Sequence, residues 1–272
     1  MRCREEVPKG KSQVNVYQTS EKTNQGRAMK LARQRLRAAI LRGEFAPGSV
    51  LTQAELSSFL NIGRTPLREA IRVVQEEGLI VSQPNRTVRV AGMSLADIDG
   101  LYALRIVHEA AAVRLTVPNL LADDIGELRE LVAKMDYFAE SQNYEHYSAP
   151  HHRFHALLIS KQGAREAAFY QQLFDHSERY RYAYASSDAS SFQLSGKEHH
   201  ALLEAATNLD GVRCAQVLVN HYARTAATVA EQIDPAARLP RVEFACAVAL
   251  GRPDLKGAAV LWQRVRNATA KV

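Results

Sequence analysis

The sequence predicts a mainly α-helical protein in two parts, a small N-terminal domain that ends in a β-hairpin and a larger bundle built only from helices. Apolar residues recur at helical spacing along most of the 272 residues, and strand signals are confined to the part before residue 92. Hydrophobic residues make up 46% and charged residues 24% of the chain, which are ordinary values for a folded globular protein. This length suits two domains.

The chain divides into four expected segments. Residues 1–21 are polar and without sustained periodicity, which predicts a flexible arm. Residues 22–92 form the first domain, and residues 93–234 form the second. Residues 235–272 are a less regular C-terminal extension, with a last helix expected near 255–270.

Composition also limits the compartment and the class of protein. No uninterrupted apolar run reaches the roughly 18 residues that a membrane span needs, and the N-terminus lacks the apolar core of a secretory signal. We therefore expect a cytoplasmic protein without a membrane partner. Cys3, Cys214 and Cys246 are widely spaced and form no Cys-x-x-Cys pair, which argues against a disulfide framework or a zinc ribbon.

Three helices are predicted in the first domain. The first runs from about Gln25 to Arg42 on a strongly helix-forming background. A turn over 44–48 and a short extended piece follow, and the second helix then begins with Thr52 as its N-cap. The apolar stripe of this second helix is Leu56, Phe59 and Leu60.

The third helix carries two opposed faces. We expect Thr65 to be its N-cap, Pro66 to occupy its first position and Gly78 to follow its last turn. Apolar side chains at i, i+3, i+4 and i+7 form the inward stripe Leu67, Ala70, Ile71 and Val74. The outward stripe is Arg64, Arg68 and Arg72. A buried face and a basic face therefore share one helix.

A two-stranded β-hairpin is predicted after this helix. The apolar segments 79–81 and 87–90 flank Gln83-Pro84-Asn85-Arg86, in which proline and asparagine favour a β-turn. Arg86 is expected near the tip of the hairpin.

Two short helices joined by a tight turn, with a hairpin after them, are typical of a winged helix-turn-helix whose second helix enters the major groove of DNA. The predicted DNA-binding residues are Arg64, Thr65, Arg68, Asn85 and Arg86. Arginine can form two hydrogen bonds with guanine, whereas threonine and the hairpin residues suit phosphates or the minor groove. The alternative is an ordinary exposed helix whose arginines provide only solubility.

The charge distribution favours nucleic-acid binding. The net charge of the chain is +6, and residues 22–92 hold 12 Lys and Arg against 5 Asp and Glu, so this segment contributes +7 and the remainder −1. A basic surplus confined to one domain is the electrostatic signature of a module that neutralises phosphates and releases their counterions.

These residues resemble a known family. The stretch ILRGEFAPGSVLTQAELSSFLNIGRTPLREAIRVVQEEGLIVSQPNRTVRV is similar to the DNA-binding domain of GntR-type regulators, through G-x-F-x-P-G, A-E-L, R-T-P-L-R-E-A, and E-G-L-I followed by P-N-R. The resemblance implies that Arg64, Thr65, Arg68 and the hairpin tip contact operator DNA. Two positions depart from the family pattern: Gly63 stands where a Ser or Thr is usual, and Ala54 stands where some members have another arginine.

The second domain is predicted to be an all-α bundle, because little strand signal occurs beyond residue 92. Turn-forming residues separate six amphipathic segments. These segments span roughly 95–116, 121–141, 144–162, 164–184, 196–208 and 211–233.

Four of the nine histidines are expected to face the interior of this bundle. His151 and His155 lie one turn apart on one apolar stripe, and His199 and His221 lie on the apolar stripes of two later helices. Imidazoles that converge in a helical bundle suit a divalent transition metal such as Zn, Ni, Cu, Fe or Mn. The alternative is a set of hydrogen-bonded core histidines. The remaining histidines are expected at surface or packing positions: His108, His146, His152, His176 and His200.

Residues 95–233 resemble the FCD effector domain of the FadR-like branch of GntR regulators. The resemblance rests on L-R-x-x-x-E from Leu104 to Glu109, F-H at 154–155, E-H at 198–199, and His221. Many members hold a metal with one Asp and three His, and the Asp position is His151 in this sequence. The resemblance therefore implies a site of four histidines that is more neutral than the usual one.

The same resemblance implies that the effector is a small carboxylate: an organic acid, a sugar acid, an amino acid or an acyl-coenzyme A. Arg105 on the first bundle helix is a candidate counter-charge for that carboxylate, and Arg181 is a second candidate. The alternative for both arginines is an ion pair within the protein.

Two other functions stay open at this point. A metal-dependent hydrolase fused to a DNA-binding module could use buried histidines to activate water, but the sequence has no H-E-x-x-H, G-x-S-x-G or P-loop motif. An architectural DNA-binding protein without an effector would not need inward polar histidines, which require partners. The sequence favours a ligand-responsive transcription regulator that binds a pseudo-palindromic operator as a homodimer, and not an enzyme.

Overall fold

The computed structural model describes residues 14–185 and 189–251. Contacts divide the chain into two compact units with a boundary between Ala91 and Gly92, and residues 41–43 group with the second unit. Among the described residues, none of the helices is both long enough and apolar enough to cross a membrane.

The first unit combines helices with a small sheet. Its elements are α1 (Val14–Leu41), β1 (Val50–Thr52), α2 (Gln53–Leu60), α3 (Arg64–Glu76), β2 (Ile80–Gln83) and β3 (Thr87–Val90). Helix α1 begins within the segment expected to be a flexible arm, since residues 14–21 are helical. That stretch contains no proline and no glycine, so nothing in it interrupts a helix that has already formed. Residues 1–13 lie outside the described part of the chain.

Helix α2 begins with the expected cap. The Thr52 hydroxyl accepts from the Glu55 backbone N–H at 3.1 Å, and the Glu55 carboxylate accepts from the Thr52 backbone N–H at 2.7 Å. This capping box satisfies two backbone donors that the first turn would otherwise leave unpaired. Leu56 and Leu60 are buried as predicted, but Phe59 is 58% exposed and contacts Phe45, with the two ring centroids 4.9 Å apart.

Helix α3 begins two residues earlier than the sequence predicts. Gly63 is extended at φ −61° and ψ 153°, and its carbonyl accepts the Leu67 N–H at 3.1 Å, so Gly63 rather than Thr65 is the N-cap. Pro66 therefore lies at the third position, where its missing N–H still costs no helical hydrogen bond. The four inward residues are buried as predicted. Gly78, at φ +76°, ends the helix in the left-handed conformation that glycine adopts without strain.

The extended piece before α2 is a third strand of the sheet. The strand order is β1-β3-β2, with both pairs antiparallel and with Leu51 opposite Val88 and Ser82 opposite Val88 on the other side. The hairpin loop contains Asn85 and Arg86, at φ 61° and 56°. Arg86 also accepts the first N–H of α2, that of Gln53, through its carbonyl at 3.0 Å, which fixes the hairpin loop against α2.

The second unit is a helical bundle. Its elements are α4 (Leu95–Thr116), a 3₁₀ turn (Val117–Asn119), α5 (Ala122–Glu140), α6 (Tyr144–Leu158), α7 (Ala164–Tyr180) with a π-helical turn (Arg181–Ala185), α8 (Ala189–Thr207), α9 (Gly211–Ile233) and α10 (Pro240–Ala249). Helices α4 and α9 pack against each other through the middle of the bundle, α10 lies against α4, and α5 lies against α6 and α8.

Helix α10 lies in the segment expected to be an irregular extension. Val242 and Cys246 of α10 belong to the same buried core as the other bundle helices, so the second unit does not end near residue 234. The Asp99 carboxylate of α4 accepts the backbone N–H groups of Arg241 and Val242, each at 3.0 Å, and so caps the N-terminus of α10. The helix expected near 255–270 lies outside the described residues.

Candidate functional site

Four histidines converge inside the second unit. His151 and His155 come from α6, His199 from α8 and His221 from α9, and all four side chains are buried. One ring nitrogen from each residue can be chosen such that all four atoms lie within 4.8 Å of one another. The predicted convergence of these residues from three helices is therefore present in the structure.

Burial keeps these imidazoles neutral. Removal from water lowers the pKa of His151, His155 and His199 well below the ordinary value of 6.5, and neighbouring positive charge lowers it further. Burial also lowers the pKa of His221, although the hydrogen bond to Glu198 acts in the opposite direction. Each neutral imidazole has one nitrogen lone pair that can bind a metal, and that of His151 accepts from Arg181, a hydrogen bond that a metal would have to replace.

His221 is oriented by a carboxylate. Its Nδ1 lies 2.7 Å from Oε2 of Glu198, and Arg224 donates to Glu198 at 2.7 Å through Nε. Although burial acts to raise the pKa of Glu198, the hydrogen bonds from His221 and Arg224 hold it at about 2. A neutral His221 must therefore carry its proton on Nδ1, and its Nε2 lone pair stays free for a metal.

The spacing of the donor atoms fits a transition metal. Nε2 of His155 lies 3.3 Å from Nε2 of His199. Two imidazole nitrogens bound to a tetrahedral zinc at about 2.0–2.1 Å would lie about 3.3–3.4 Å apart. Four imidazoles can fill a tetrahedral centre or occupy four positions of an octahedral one, and nitrogen donors of this kind suit Zn, Ni and Cu.

The two arginine candidates have different surroundings. Arg105 is 1% exposed, and it donates to Glu109 and Ser177 at 2.7 Å through Nε and Nη1. Its Nη2 donates to Tyr222 at 2.7 Å. Glu109 balances the charge of Arg105 and all three nitrogens have protein partners, so Arg105 forms the internal ion pair that was the alternative to an effector contact.

Arg181 is the cation beside the histidines. Its Nη1 lies 2.8 Å from Nδ1 of His151 and 2.5 Å from Oε1 of Glu178. It occupies the first position of the π-helical turn after α7. A π-helical turn is often found at a functional site. The sequence offers two interpretations of Arg181, an internal ion pair and a cation at the effector site. In the structure Arg181 forms an ion pair with Glu178 and also adjoins the histidines.

The predicted DNA-binding residues are all exposed on the first unit. Arg64 and Thr65 lie in the first turn of α3, Arg68 lies in its second turn, and Asn85 and Arg86 lie in the hairpin loop. Gly63 caps α3 without any side-chain hydrogen bond. The N–H groups at the start of α3 are therefore available to a phosphate, which a helix N-terminus favours.

Comparison with known proteins decides the family. Residues 30–90 match the description "Bacterial regulatory proteins, gntR family", and residues 100–224 match "FCD domain". The HTH-type transcriptional regulator BphR of Paraburkholderia xenovorans is 30% identical over 195 residues, which are 69% of this chain and 79% of BphR. The chain belongs to the gntR family of bacterial regulatory proteins.

A second curated relative and a solved structure extend the comparison. The HTH-type transcriptional repressor GlaR of Escherichia coli is 25% identical over 68% of this chain and 88% of its own length. The solved structure of E. coli McbR/YncC superimposes with a TM-score of 0.69 at 22% identity, over 76% of this chain and 99% of McbR. The protein is thus a DNA-binding transcription regulator with an FCD effector-binding domain, in a family of regulators rather than enzymes.

Sequence reasoning missed the partners of the histidines. Glu198 was recognised only as part of an E-H motif, and Tyr222, which lies 3.1 Å from Nδ1 of His155, was not recognised at all. A usable signal existed, because Tyr222 directly follows His221 and a buried imidazole needs a hydrogen-bond partner. The five histidines assigned to surface or packing positions are exposed or half-buried.

The neutral histidines predict acid sensitivity of the metal-free protein. Their folded-state pKa values lie below 6.5, so the unfolded state binds more protons as the pH falls. The free energy of unfolding is therefore independent of these histidines above pH 6.5. Below pH 6.5 it falls by up to about 1.4 kcal/mol per pH unit for each histidine. Urea unfolding should show a constant midpoint from about pH 8 to 7 and a steep fall from about pH 6.5 to 5.

Two variants provide the comparison for this titration. His199→Gln should flatten the acid slope, whereas His146→Gln, at an exposed position, should leave it unchanged. A midpoint that does not vary between pH 7 and 5 would show that these imidazoles are not held neutral by burial.

Proposed function

We propose that the protein is a cytoplasmic homodimer that binds a pseudo-palindromic operator and senses a small carboxylate through a divalent transition metal held by His151, His155, His199 and His221. The observation that carries this proposal is the convergence of four neutral imidazoles in the core of an FCD domain. A protein that binds operator DNA acts where the bacterial chromosome lies, which supports the compartment. Residues 22–92 are proposed as the operator-binding domain, with the effector-binding domain after them.

The metal would be zinc, nickel or a similar ion. The donor set contains four imidazoles and no carboxylate, which favours late transition metals over the harder ions that prefer oxygen. A metal bound here would supply a positive centre that attracts a carboxylate. Glu198 would hold His221 in the tautomer required for binding, as a carboxylate commonly does for a metal-bound histidine.

Arg181 is the proposed counter-charge for the effector. Its guanidinium adjoins His151, so an anion at the metal lies within reach of a second positive group. Glu178 already neutralises Arg181, and a carboxylate effector would compete with Glu178 for it. Arg105 is the other candidate that the sequence offers for this role, but its buried ion pair with Glu109 favours Arg181.

The proposed DNA interface is the exposed face of α3 together with the hairpin loop. Arg64 and Arg68 would read bases or bind phosphates in the major groove, and Thr65 would add a hydroxyl and a backbone donor. Asn85 and Arg86 in the hairpin loop would contact the backbone or the minor groove. Because the net positive charge of the chain is concentrated in residues 22–92, which sum to +7, binding should weaken as salt concentration rises.

An exposed apolar face on α4 supports the homodimer. Leu104, Val107 and Leu115 are 53%, 45% and 72% exposed, and with Ala111 they follow one side of the helix. A second copy of the chain would cover these groups and would present two α3 helices to two half-sites. Effector binding would then act by changing the equilibrium between two placements of those helices.

Metal analysis tests the central part of this proposal. Protein purified without chelator and without an affinity-tag metal should contain about one metal ion per chain, and the variant His155→Ala/His199→Ala should contain none. The matched control His146→Ala/His200→Ala removes two exposed histidines and should keep its metal. If the wild-type chain stays metal-free after incubation with zinc and nickel, or if the core variant keeps its metal, the proposed site is wrong.

DNA binding by the homodimer is tested with a duplex that the wild-type protein selects from a random pool. Arg68→Ala should weaken binding by about 1–3 kcal/mol, and a phosphate contact would also reduce the salt slope by about one. Arg165→Ala removes an exposed arginine from the second unit and should bind like wild type.

Sedimentation of two variants tests the proposed dimer face. Leu115→Glu should sediment as a monomer, whereas Leu121→Glu, an equally exposed position outside the α4 stripe, should remain a dimer. Unchanged operator affinity in Arg68→Ala would remove α3 from the interface, and dimeric Leu115→Glu would remove α4 from the subunit contact.

A further inference from the structure

The orientation of His155 depends on a buried hydrogen-bond network that begins on α4. Arg105 and Glu109 lie one turn apart on this helix, and each is 1% exposed. Nε of Arg105 donates to Oε1 of Glu109 at 2.7 Å, which makes the two side chains an ion pair. A buried ion pair is costly unless its remaining donors and acceptors also find partners. Here those partners come from α7 and α9.

Tyr222 of α9 completes the network. Its hydroxyl donates to Oε2 of Glu109 at 2.5 Å and accepts from Nη2 of Arg105 at 2.7 Å. The directions are fixed by chemistry, because an ionised carboxylate only accepts and a guanidinium only donates. The single proton of the Tyr222 hydroxyl is therefore committed to Glu109.

This commitment determines the tautomer of His155. Nδ1 of His155 lies 3.1 Å from the Tyr222 oxygen. Since Tyr222 has no second proton to donate, Nδ1 of His155 must be the donor and must carry the imidazole proton. Nε2 of His155 then holds a lone pair, and it is Nε2 that lies 3.3 Å from Nε2 of His199 inside the cluster.

We propose that Tyr222 is a positioning residue for the metal site: held by Arg105 and Glu109, it fixes His155 as the Nδ1–H tautomer and so presents the Nε2 lone pair to the metal. This inference rests on the proposed function for its metal, but the tautomer itself is a property of the metal-free protein. In this inference Arg105 and Glu109 hold the Tyr222 hydroxyl in place and do not contact the effector. Glu198 acts on His221 in the corresponding way.

The substitution Tyr222→Phe tests the inference with little change in packing. It removes the hydroxyl and keeps the ring, while the Arg105–Glu109 ion pair remains. Zinc affinity, measured by competition with a chromophoric chelator, should fall about 10- to 100-fold. The absorption spectrum of the cobalt-substituted protein should change, because the orientation of one ligand is no longer fixed.

Tyr102→Phe is the matched control. Tyr102 is also fully buried and packs edge-on against Tyr222 with ring centroids 6.4 Å apart. Its hydroxyl has no hydrogen-bond partner among the described residues. Loss of this hydroxyl should therefore leave zinc affinity within twofold of wild type. Thermal unfolding of both metal-free variants identifies any general loss of structure.

Nuclear magnetic resonance of ¹⁵N-histidine-labelled, metal-free protein separates this inference from the proposed function. His155 should carry its proton on Nδ1 in the wild type and in Tyr222→Phe should shift towards the Nε2–H form. If wild-type protein binds no zinc but the tautomer shifts as expected, the metal proposal fails and the positioning role of Tyr222 stands. If Tyr222→Phe binds zinc like wild type, or if His155 is the Nε2–H form in the wild type, the inference is overturned.

Discussion

The second unit must provide hydrogen-bond partners for four imidazole rings that are buried in one helical core. Each ring has lost the solvent that would hydrogen-bond it, so each must be neutral and must find protein partners. The helices supply those partners from several directions: Tyr147 from α6, Glu198 from α8, Tyr222 from α9 and Arg181 from the end of α7. The packing of α4 against α9 brings the Arg105–Glu109 pair to Tyr222 and thereby to His155.

Helix α4 connects the two proposed roles of the second unit. Its inward side carries Arg105 and Glu109, which hold the partner of a cluster histidine, and its outward side carries the apolar stripe that ends at Leu115. A change at the histidines that moves Tyr222 would act directly on this helix. This chain pairs a gntR DNA-binding domain with an FCD effector-binding domain, and α4 is the first helix that follows the DNA-binding domain.

The sequence predicts the elements that local physics determines. The buried stripe of α3, the N-cap at Thr52 and the four inward histidines all follow from periodicity and hydrogen-bonding capacity along one segment. The predicted start of α3 is wrong by two residues. Thr65 has a side chain that caps helices well, but the extended backbone at Gly63 determines where the helix begins. Local propensity does not include that constraint.

Features that depend on contacts between distant segments were not predictable in the same way. Helix α10 is short, and its N-terminus is capped by Asp99, which lies more than a hundred positions earlier in the chain. The charge of Arg105 alone makes it a candidate effector ligand. In the structure its guanidinium donates hydrogen bonds to Glu109 and Tyr222. Such roles emerge only when the helices are packed, because they depend on which side chains meet.

X-ray absorption spectroscopy of the zinc-loaded protein tests the central claim most directly, because it reports the atoms bound to the metal. The four-histidine site predicts about four nitrogen ligands at about 2.0–2.1 Å with the outer-shell scattering that is characteristic of imidazole. A first shell composed mainly of oxygen or sulfur, or one with fewer than two imidazoles, would show that the metal binds elsewhere and would contradict the account.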